Sequence, residues 1–548
     1  MFSGTHTAGQ LKLRAETMRR GCVVLAFDGA LYNMDMEGLF EGLARRGAGF
    51  LRELDGCFAL AFWDGRQREG TLLLARDRIG AKPLFYAREN DRLYFGSEPG
   101  SLFDAGFEPA LDKDSLRELF ALGPARSPGH GVFRGLRELL PGQWMTVGRE
   151  GPREGFYWKL ESRAHSDTYE ETIEKTTALL QSAVERQMVS EKPLCAFLSG
   201  GLDSSLVSAI AARRLAERGE LLASFSFDFA GNSGHYKASA FQPSQDAPFA
   251  AEMAEHLRTK HTVLECGPRT LADLLEPAVI ARGFPGMGDI DSSLLYFCSM
   301  VGREYGVALT GECGDEIFGG YPWFRGEAAF RERCFPWSRD MEARKTFLRD
   351  DVLAELRLED YARAAYEASV AETPRLESDT PEEARRREIA WLNLRWFMQT
   401  LLCRMERCGA ATGVDGRVPF ADTRLLEYAW SIPWEMKCKD GVVKNILREA
   451  GRGLLPESVR ARQKSPFPKI YDPAYERLLA ERMRDLLASP NEPVHSYVDK
   501  AKAEAFLRAP ADYGKPWYGQ LMAAPQRVAW FLQLNYWLKA YTKRPLSV

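Results

Sequence analysis

Several things are missing from this sequence. No apolar run approaches the ~20 residues that span a bilayer. A helical membrane protein is therefore set aside. Met1 to Arg20 hold no apolar core of the signal-peptide kind. Neither sign of charge dominates: 73 Lys and Arg stand against 76 Asp and Glu. No basic surplus points to nucleic acid, and no acidic block points to a solvating tail. Ten cysteines are scattered without a Cys-x-x-Cys pair. That argues against a zinc site or a disulfide framework, and for a reducing, cytoplasmic compartment. There is no internal repeat.

What is present fits two regions in 548 residues, a length for two to four domains at about 150 each. From Val23 to about Trp158 the pattern is short strands and turns. Cys57–Asp64, Thr71–Ala75 and Leu93–Phe95 read as strands. Between Asn33 and Gly56 the chain reads as a short connector. A polar linker follows at Arg163–Tyr169. Ile173, Thr177, Leu180, Val184 and Met188 then keep helical spacing. Strands are predicted at Leu194–Leu198, Leu221–Asp228, His261–Glu265 and Val307–Thr310, with a helix at Ala247–Arg258. Alternating strands and helices imply a parallel sheet. From Pro336 onward the chain reads as largely helical, for example at Glu383–Leu402 and Leu478–Leu487.

Ser199-Gly200-Gly201-Leu202-Asp203-Ser204-Ser205 sits between the first of these strands and a helix. Glycines let backbone N–H groups approach oxygens, and a helix N-terminus favours negative charge. The loop lacks the Gly-Lys-Ser/Thr ending of the common phosphate loop and carries an acid, Asp203. An acid beside phosphates implies a bridging Mg²⁺. A second strand end leads into Gly311-Glu312-Cys313-Gly314-Asp315-Glu316. Asp203 and Asp315 could share one Mg²⁺. Lys444 and Arg448 lie four apart, on one predicted helix face, and Arg462 and Lys464 follow. The bland alternatives are a Gly/Ser-rich turn, an acidic helix start and a solvated basic face.

These residues together resemble the glutamine-dependent asparagine synthetases. The matching stretches are Ser199–Ser205, Gly311–Tyr321, Arg417-Val418-Pro419-Phe420 with Asp422, Lys444 with Leu447-Arg448, and Arg462–Phe467. The resemblance implies an α/β chain with two domains. Residues 1–160 would be a truncated glutaminase-like β-sandwich of the N-terminal-nucleophile (Ntn) type. Residues 170–548 would be a PP-loop ATP pyrophosphatase domain, adenine nucleotide alpha hydrolase-like, with a parallel sheet and a helical C-terminal part. It implies that aspartate and ATP give β-aspartyl-AMP and pyrophosphate, and that ammonia then displaces AMP. Leu198, Ser199, Gly200, Gly201, Asp203, Ser204, Ser205, Phe227, Gly311 and Lys464 would bind ATP or pyrophosphate. Asp203 and Asp315 would ligate Mg²⁺. Glu312 would take a proton from ammonia, and Lys444 would stabilise developing charge. One patch departs from the family: Arg407-Cys408-Gly409-Ala410-Ala411 stands where Arg-Met-Ser-Met-Ala is usual. Asp415 is shorter than the usual acid.

The front of the chain departs further. Gly56–Asp64, Ala75–Arg78 and Phe95–Glu98 resemble the rear of the family's glutaminase domain. The nucleophilic cysteine, however, is replaced by Phe2, which cannot attack an amide. Asp28-Gly29-Ala30 stands where Asn-Gly-Glu is usual, so an anion lies where an oxyanion is stabilised. Cys22 is the nearest other thiol and offers no free α-amine. The expectation is a lost glutaminase, ammonia from solution and no use of glutamine. No nucleic-acid or membrane partner is expected, and a homodimer is allowed. Two alternatives stand beside this reading. One is a ligase adenylating another carboxylate, as β-lactam synthetases and lasso-peptide cyclases do. The other is a non-catalytic paralogue. Glu312 favours asparagine synthesis, because β-lactam synthetases tend to carry Tyr there.

Overall fold

In chain order the first strands are β1 (Ser3–Thr7), β2 (Gln10–Arg14), β3 (Thr17–Arg20), β4 (Val23–Leu31), β5 (Gly56–Asp64), β6 (Thr71–Arg76), β7 (Phe85–Glu89), β8 (Arg92–Gly96), β9 (Leu136–Glu138), β10 (Gln143–Gly148) and β11 (Gly151–Phe156). They belong to a computed structural model that describes residues 1–7, 10–14, 17–238, 242–508 and 516–542. The chain divides into two units. One comprises Met1–Leu119 with Arg126–Leu160; the other comprises Phe120–Ala125 and the chain from Glu161 onward.

The first unit holds two antiparallel sheets, ordered β2-β1-β8-β7-β9 and β11-β10-β6-β5-β4-β3. The apolar run Cys57–Trp63 follows from burial on both faces of β5. Ala59, Ala61 and Trp63 join Phe2, Val24, Ala26, Leu74 and Phe95 in one core. Phe58, Leu60 and Phe62 join Leu25, Leu39, Phe40, Leu43 and Leu51 in a second. The expected short connector from Asn33 to Gly56 is instead a helix, Met36–Arg46, and a 3₁₀ turn, Gly47–Glu53. Asp35 caps that helix, accepting from Gly38 N at 2.8 Å. Leu39, Phe40 and Leu43 turn its apolar face to the second core, a three- and four-residue spacing that a brief connector hides.

In the second unit the strands are β12 (Leu194–Phe197), β13 (Ala223–Phe229), β14 (Lys260–Cys266), β15 (Val307–Leu309) and β16 (Asp415–Arg417). They form an all-parallel sheet ordered β14-β13-β12-β15-β16. Cys195 of β12 pairs with Ala223 on one side and Ala308 on the other. β12 and β15 are therefore neighbours, and the two loops leave adjacent carboxyl ends of one sheet. Ligands bind at such ends in open α/β sheets. β16 was not expected, since it has three residues and two of them are charged. Its Arg417 donates to the Gln187 and Val189 carbonyls at 2.6 Å each, which satisfies the buried guanidinium.

Helices cover this sheet. Tyr169–Gln187 opens with a capping box between Thr168 and Glu171. The single helix expected at Glu383–Leu402 is Pro381–Leu392, a π-helical turn at Asn393–Phe397, and Met398–Thr412. The buried Asn393 in that turn accepts from Trp323 Nε1 at 3.2 Å. Such insertions mark places where side chains must be re-aimed. Here Phe397, Leu401 and Arg404 all reach the same cavity.

Asp289, 3% exposed, opens the helix Asp289–Val301 and accepts from Gln526 Nε2 at 3.1 Å. Burial pushes its carboxyl up to about 6, against the pull of that hydrogen bond. A folded-state value above the unfolded one favours the protonated form. Its stabilisation is complete below about pH 4 and is lost as pH rises towards 6. Asp289→Asn is expected to remove this slope of about 1.4 kcal/mol per pH unit, as urea denaturation at pH 4.5, 5.5 and 7 would show.

Candidate active site

Two loops and one lysine make the site. In the first loop, Gly200 has φ +70°, and a Cβ there would come within 2.4 Å of Ala250 N. Only glycine fits. The loop then closes on itself: Ser199 N donates to Ser204 Oγ at 3.2 Å, and the two hydroxyls lie 2.9 Å apart. Gly201 is the N-cap of the helix Leu202–Ala216, which places Asp203 in the first turn. Ser205 is fully buried, and its hydroxyl has no hydrogen-bond partner among the described residues.

The second loop packs directly on the first. A Cβ on Gly311 would lie 2.4 Å from Ser204 N. Cys313 has φ +70°, a strained value for a non-glycine residue that costs about 1–2 kcal/mol. It turns the chain into the helix Gly314–Phe318, so that Asp315 points back towards Asp203.

Lys444 lies between the two acids. Its Nζ is 2.5 Å from Asp203 Oδ2 and also ion-pairs with Asp315 Oδ1. Lys464 Nζ reaches Asp315 Oδ2 at 2.6 Å. Two carboxylates thus face two ammoniums. Burial raises the Asp203 carboxyl above its ordinary value, against the pull of Lys444. Burial opposes ionisation of Asp315 as well, but Lys444 and Lys464 together hold it down to about 2. For Lys444, burial disfavours the charge, and the two aspartates outweigh that and raise its value.

The expected helix face shared by Lys444 and Arg448 is corrected here. Lys444 is not on a helix. It is the residue before Asn445–Ala450, with φ +56°. That left-handed turn aims its side chain into the loops. Arg448 also lines the cavity, but its guanidinium is spent on backbone: it donates to the carbonyls of Val443 at 2.8 Å, Arg460, and Arg462 at 2.9 Å. It ties the Lys444 turn to the segment bearing Lys464.

Glu312 carries a partner that sequence reading missed. Arg404 Nη2 donates to its Oε1 at 2.7 Å. Its Oε2 is buried with no hydrogen-bond partner among the described residues. Glu316, the third acid of the same loop, accepts from Tyr321 OH at 2.5 Å. Arg462 pairs with Asp246 at 2.5 Å and donates to Ser199 O at 3.4 Å, so it braces the first loop from behind. Arg404 comes from the distant helix Met398–Thr412, and no local spacing announces it.

A cavity of ≈ 270 Å³ joins these groups. Leu198, Ser199, Gly201, Asp203, Ser204, Phe227, Gly311, Glu312, Asp315, Lys444 and Lys464 all line it, whereas Gly200 and Ser205 lie behind the wall. One end is apolar: Phe227 stacks on Phe467, with centroids 6.1 Å apart and an 18° tilt, and meets Phe297 edge-on at 5.8 Å. The other end holds the four charges. The cavity therefore offers a flat apolar slot beside a charged cradle.

The remaining expected positions lie in the first unit. The Phe2 ring is 3% exposed in the core, 6.4 Å from Phe95. Its N–H donates to Ser97 Oγ at 3.1 Å. Asp28 and Ala30 lie on β4, opposite Ala59 and Cys57, with Gly29 between them at φ +133°. Asp28 Oδ2 is 3.5 Å from the Met1 amine. Cys22 is exposed, and its carbonyl accepts from Gly65 N at 3.1 Å.

Comparison with known proteins gives the family of the chain. The asparagine synthase family pattern matches residues 175–539, and that of the glutamine amidotransferase domain matches residues 31–158. The glutamine-hydrolysing asparagine synthetase 3 of Bacillus subtilis is 39% identical, covering 96% of this chain and 88% of that protein. Asparagine synthetase 1 of the same organism is 25% identical over 76% of this chain and 68% of its own length. Asparagine synthetase B of Escherichia coli is 27% identical, with 81% and 69% covered. A matching pattern over most of the second unit, and a 39% identical relative covered almost end to end, place this chain among the ligases of the asparagine synthetase family.

Proposed function

We propose that this chain is an ATP-dependent asparagine synthetase whose nitrogen source is free ammonia. The observation that carries it is Lys444, held between Asp203 and Asp315 at the mouths of two adjacent loops, with Glu312 in the same cavity. The second unit then acts as a PP-loop domain and the first as a glutaminase remnant of Ntn type. ATP lays its base in the slot of Phe227 and Leu198, and its phosphates along the Ser199–Ser205 loop and the helix N-terminus. The β-carboxylate oxygen of aspartate attacks the α-phosphorus. The bond to the β-phosphate oxygen breaks, and pyrophosphate leaves with the electron pair. Lys444 and Lys464 stabilise the charge that builds on the departing group. Ammonia attacks the acyl carbon and AMP departs. The ammonia proton passes to Glu312 Oε2, the oxygen that Arg404 leaves open. Pyrophosphate release tests this: it requires aspartate and ATP together, and release indifferent to aspartate contradicts the proposal.

The residues also fit a Mg²⁺ ion. Asp203 Oδ1 is buried with no hydrogen-bond partner among the described residues. Asp203 and Asp315 would hold the ion, and it would supply charge to neutralise pyrophosphate. Two carboxylates already balanced by two ammoniums leave no net attraction for a bare cation. Calorimetry is expected to show no saturable binding of MgCl₂ alone and tight binding of MgCl₂ with pyrophosphate. Equal binding in both cases contradicts this.

Arg404 orients the acceptor oxygen of Glu312. Arg404→Gln is expected to leave ATP–pyrophosphate exchange within about twofold while asparagine formation falls about 10²-fold. Parallel assays of the two reactions check it.

These relatives are named glutamine-hydrolysing. In this chain Phe2 brings no nucleophile, and Asp28 brings an anion. These two residues support ammonia as the nitrogen source.

A further inference from the structure

A second small cavity, of ≈ 10 Å³, lies in the second unit, away from the groups just described. Phe120, Gly123, Ala343, Arg344, Trp517, Arg527, Trp530 and Phe531 line it. It admits about one water-sized particle. Arg344 is 6% exposed, and its Nη1 donates to Ala121 O. Its Nε and Nη2 have no hydrogen-bond partner among the described residues. Neither have the indole N–H groups of Trp517 and Trp530, which are 2% and 4% exposed. Among the described residues no carboxylate lines the cavity. Burial pushes the Arg344 guanidinium down to about 10, mild attraction from Tyr518 and Asp340 notwithstanding. Arg527, which donates Nη1 to Thr346 Oγ1 at 2.9 Å, also lines the wall.

A buried uncompensated cation costs several kcal/mol, and each orphaned donor about 1–3 kcal/mol. These costs fall on one spot where every orphan is a donor. A water molecule there would need acceptors for its own two protons, whereas the orphaned groups of Arg344, Trp517 and Trp530 are all donors. A cation is repelled. Sulfate and phosphate are too large. We propose that Arg344, Trp517 and Trp530 hold one halide-sized monovalent anion, chloride in ordinary solution, and that this ion anchors a wall of the catalytic cavity. The link is the turn Trp517–Met522. Trp517 N donates to Met522 O at 2.8 Å, and Gly519 N to Trp337 O at 2.8 Å. At the tip of that turn, Gln520 and Leu521 line the catalytic cavity. An ion on the Trp517 indole holds the base of the turn and so fixes its tip.

The test uses the full chain in sodium chloride or bromide, against sodium gluconate at equal ionic strength. The thermal midpoint is expected to rise saturably with halide and not with gluconate. The KM for aspartate is expected to fall with the same half-saturation. Crystals grown in bromide are expected to show an anomalous peak between Arg344 and the two indoles. Arg344→Met is expected to abolish the halide response. Should that variant fail to fold, Trp530→Phe keeps an aromatic ring and loses the N–H, and is expected to raise the half-saturating concentration about tenfold. Identical curves in halide and gluconate overturn the proposal. So does a cavity without bromide, or an unchanged half-saturation in Trp530→Phe.

Discussion

Lys444→Met is expected to lower aspartate-dependent pyrophosphate release by about 10³-fold or more. Removing one preorganised charge from an active site costs about 10²–10³ on its own. Lys444 serves two acids at once, so its loss also leaves Asp203 and Asp315 facing each other without the ammonium between them. Breaking a buried ion pair from one side costs about 3–5 kcal/mol. The variant therefore loses stability as well as rate. Lys464→Met gives the control. Lys464 is more exposed and, among the described residues, ion-pairs only with Asp315, so its loss is expected to cost about tenfold in rate and little in stability. Steady-state pyrophosphate assays and thermal denaturation of both variants separate the two effects. Equal rates for Lys444→Met and wild type would mean that the bridging lysine is structural.

Glutamine is expected to support synthesis at no more than about 1% of the ammonia rate, and Phe2→Cys is expected not to raise it. Nucleophilic attack on an amide needs a thiolate or its equivalent, and Phe2 has neither lone pair nor acid. Its ring fills the core beside Phe95. Replacing it with a thiol empties that space and costs about 3 kcal/mol without building the rest of a site. Asp28 would still set a carboxylate near the developing oxyanion, where one misplaced donor costs about 10²–10³. Ala30 offers no carboxylate to hold an amino acid. Glutamate release measures this directly. Wild-type glutamate release matching the rate of ammonia-driven synthesis would overturn it.

Legibility in the sequence followed the range of the interactions. The Ser199–Ser205 loop was readable because a small-residue turn between an apolar strand and a helix has few other meanings. The same holds for Gly311–Glu316. The parallel sheet was readable from its continuous apolar strands, as far as β15. β16 was not, because three residues with two charges carry no periodicity; only pairing with β15 makes Asp415–Arg417 a strand. The helix Met36–Arg46 hid in a stretch judged by length alone. The π-helical turn at Asn393–Phe397 is set by Trp323 from another segment. The site divided in the same way. The acids and Lys444 announced themselves by position in their motifs, but the left-handed turn that aims Lys444 is a backbone property no spacing reveals. Arg404 acquires its role only when the fold brings it to Glu312.

The central claim is that the cavity around Lys444 joins the carboxylate of aspartate to the α-phosphorus of ATP. Aspartate labelled with ¹⁸O in its β-carboxylate tests it most directly, with the AMP and pyrophosphate products read by mass spectrometry. The account predicts one ¹⁸O atom in the phosphate of AMP and none in pyrophosphate, with ammonia present. Unlabelled AMP, or label in pyrophosphate or inorganic phosphate, would contradict it.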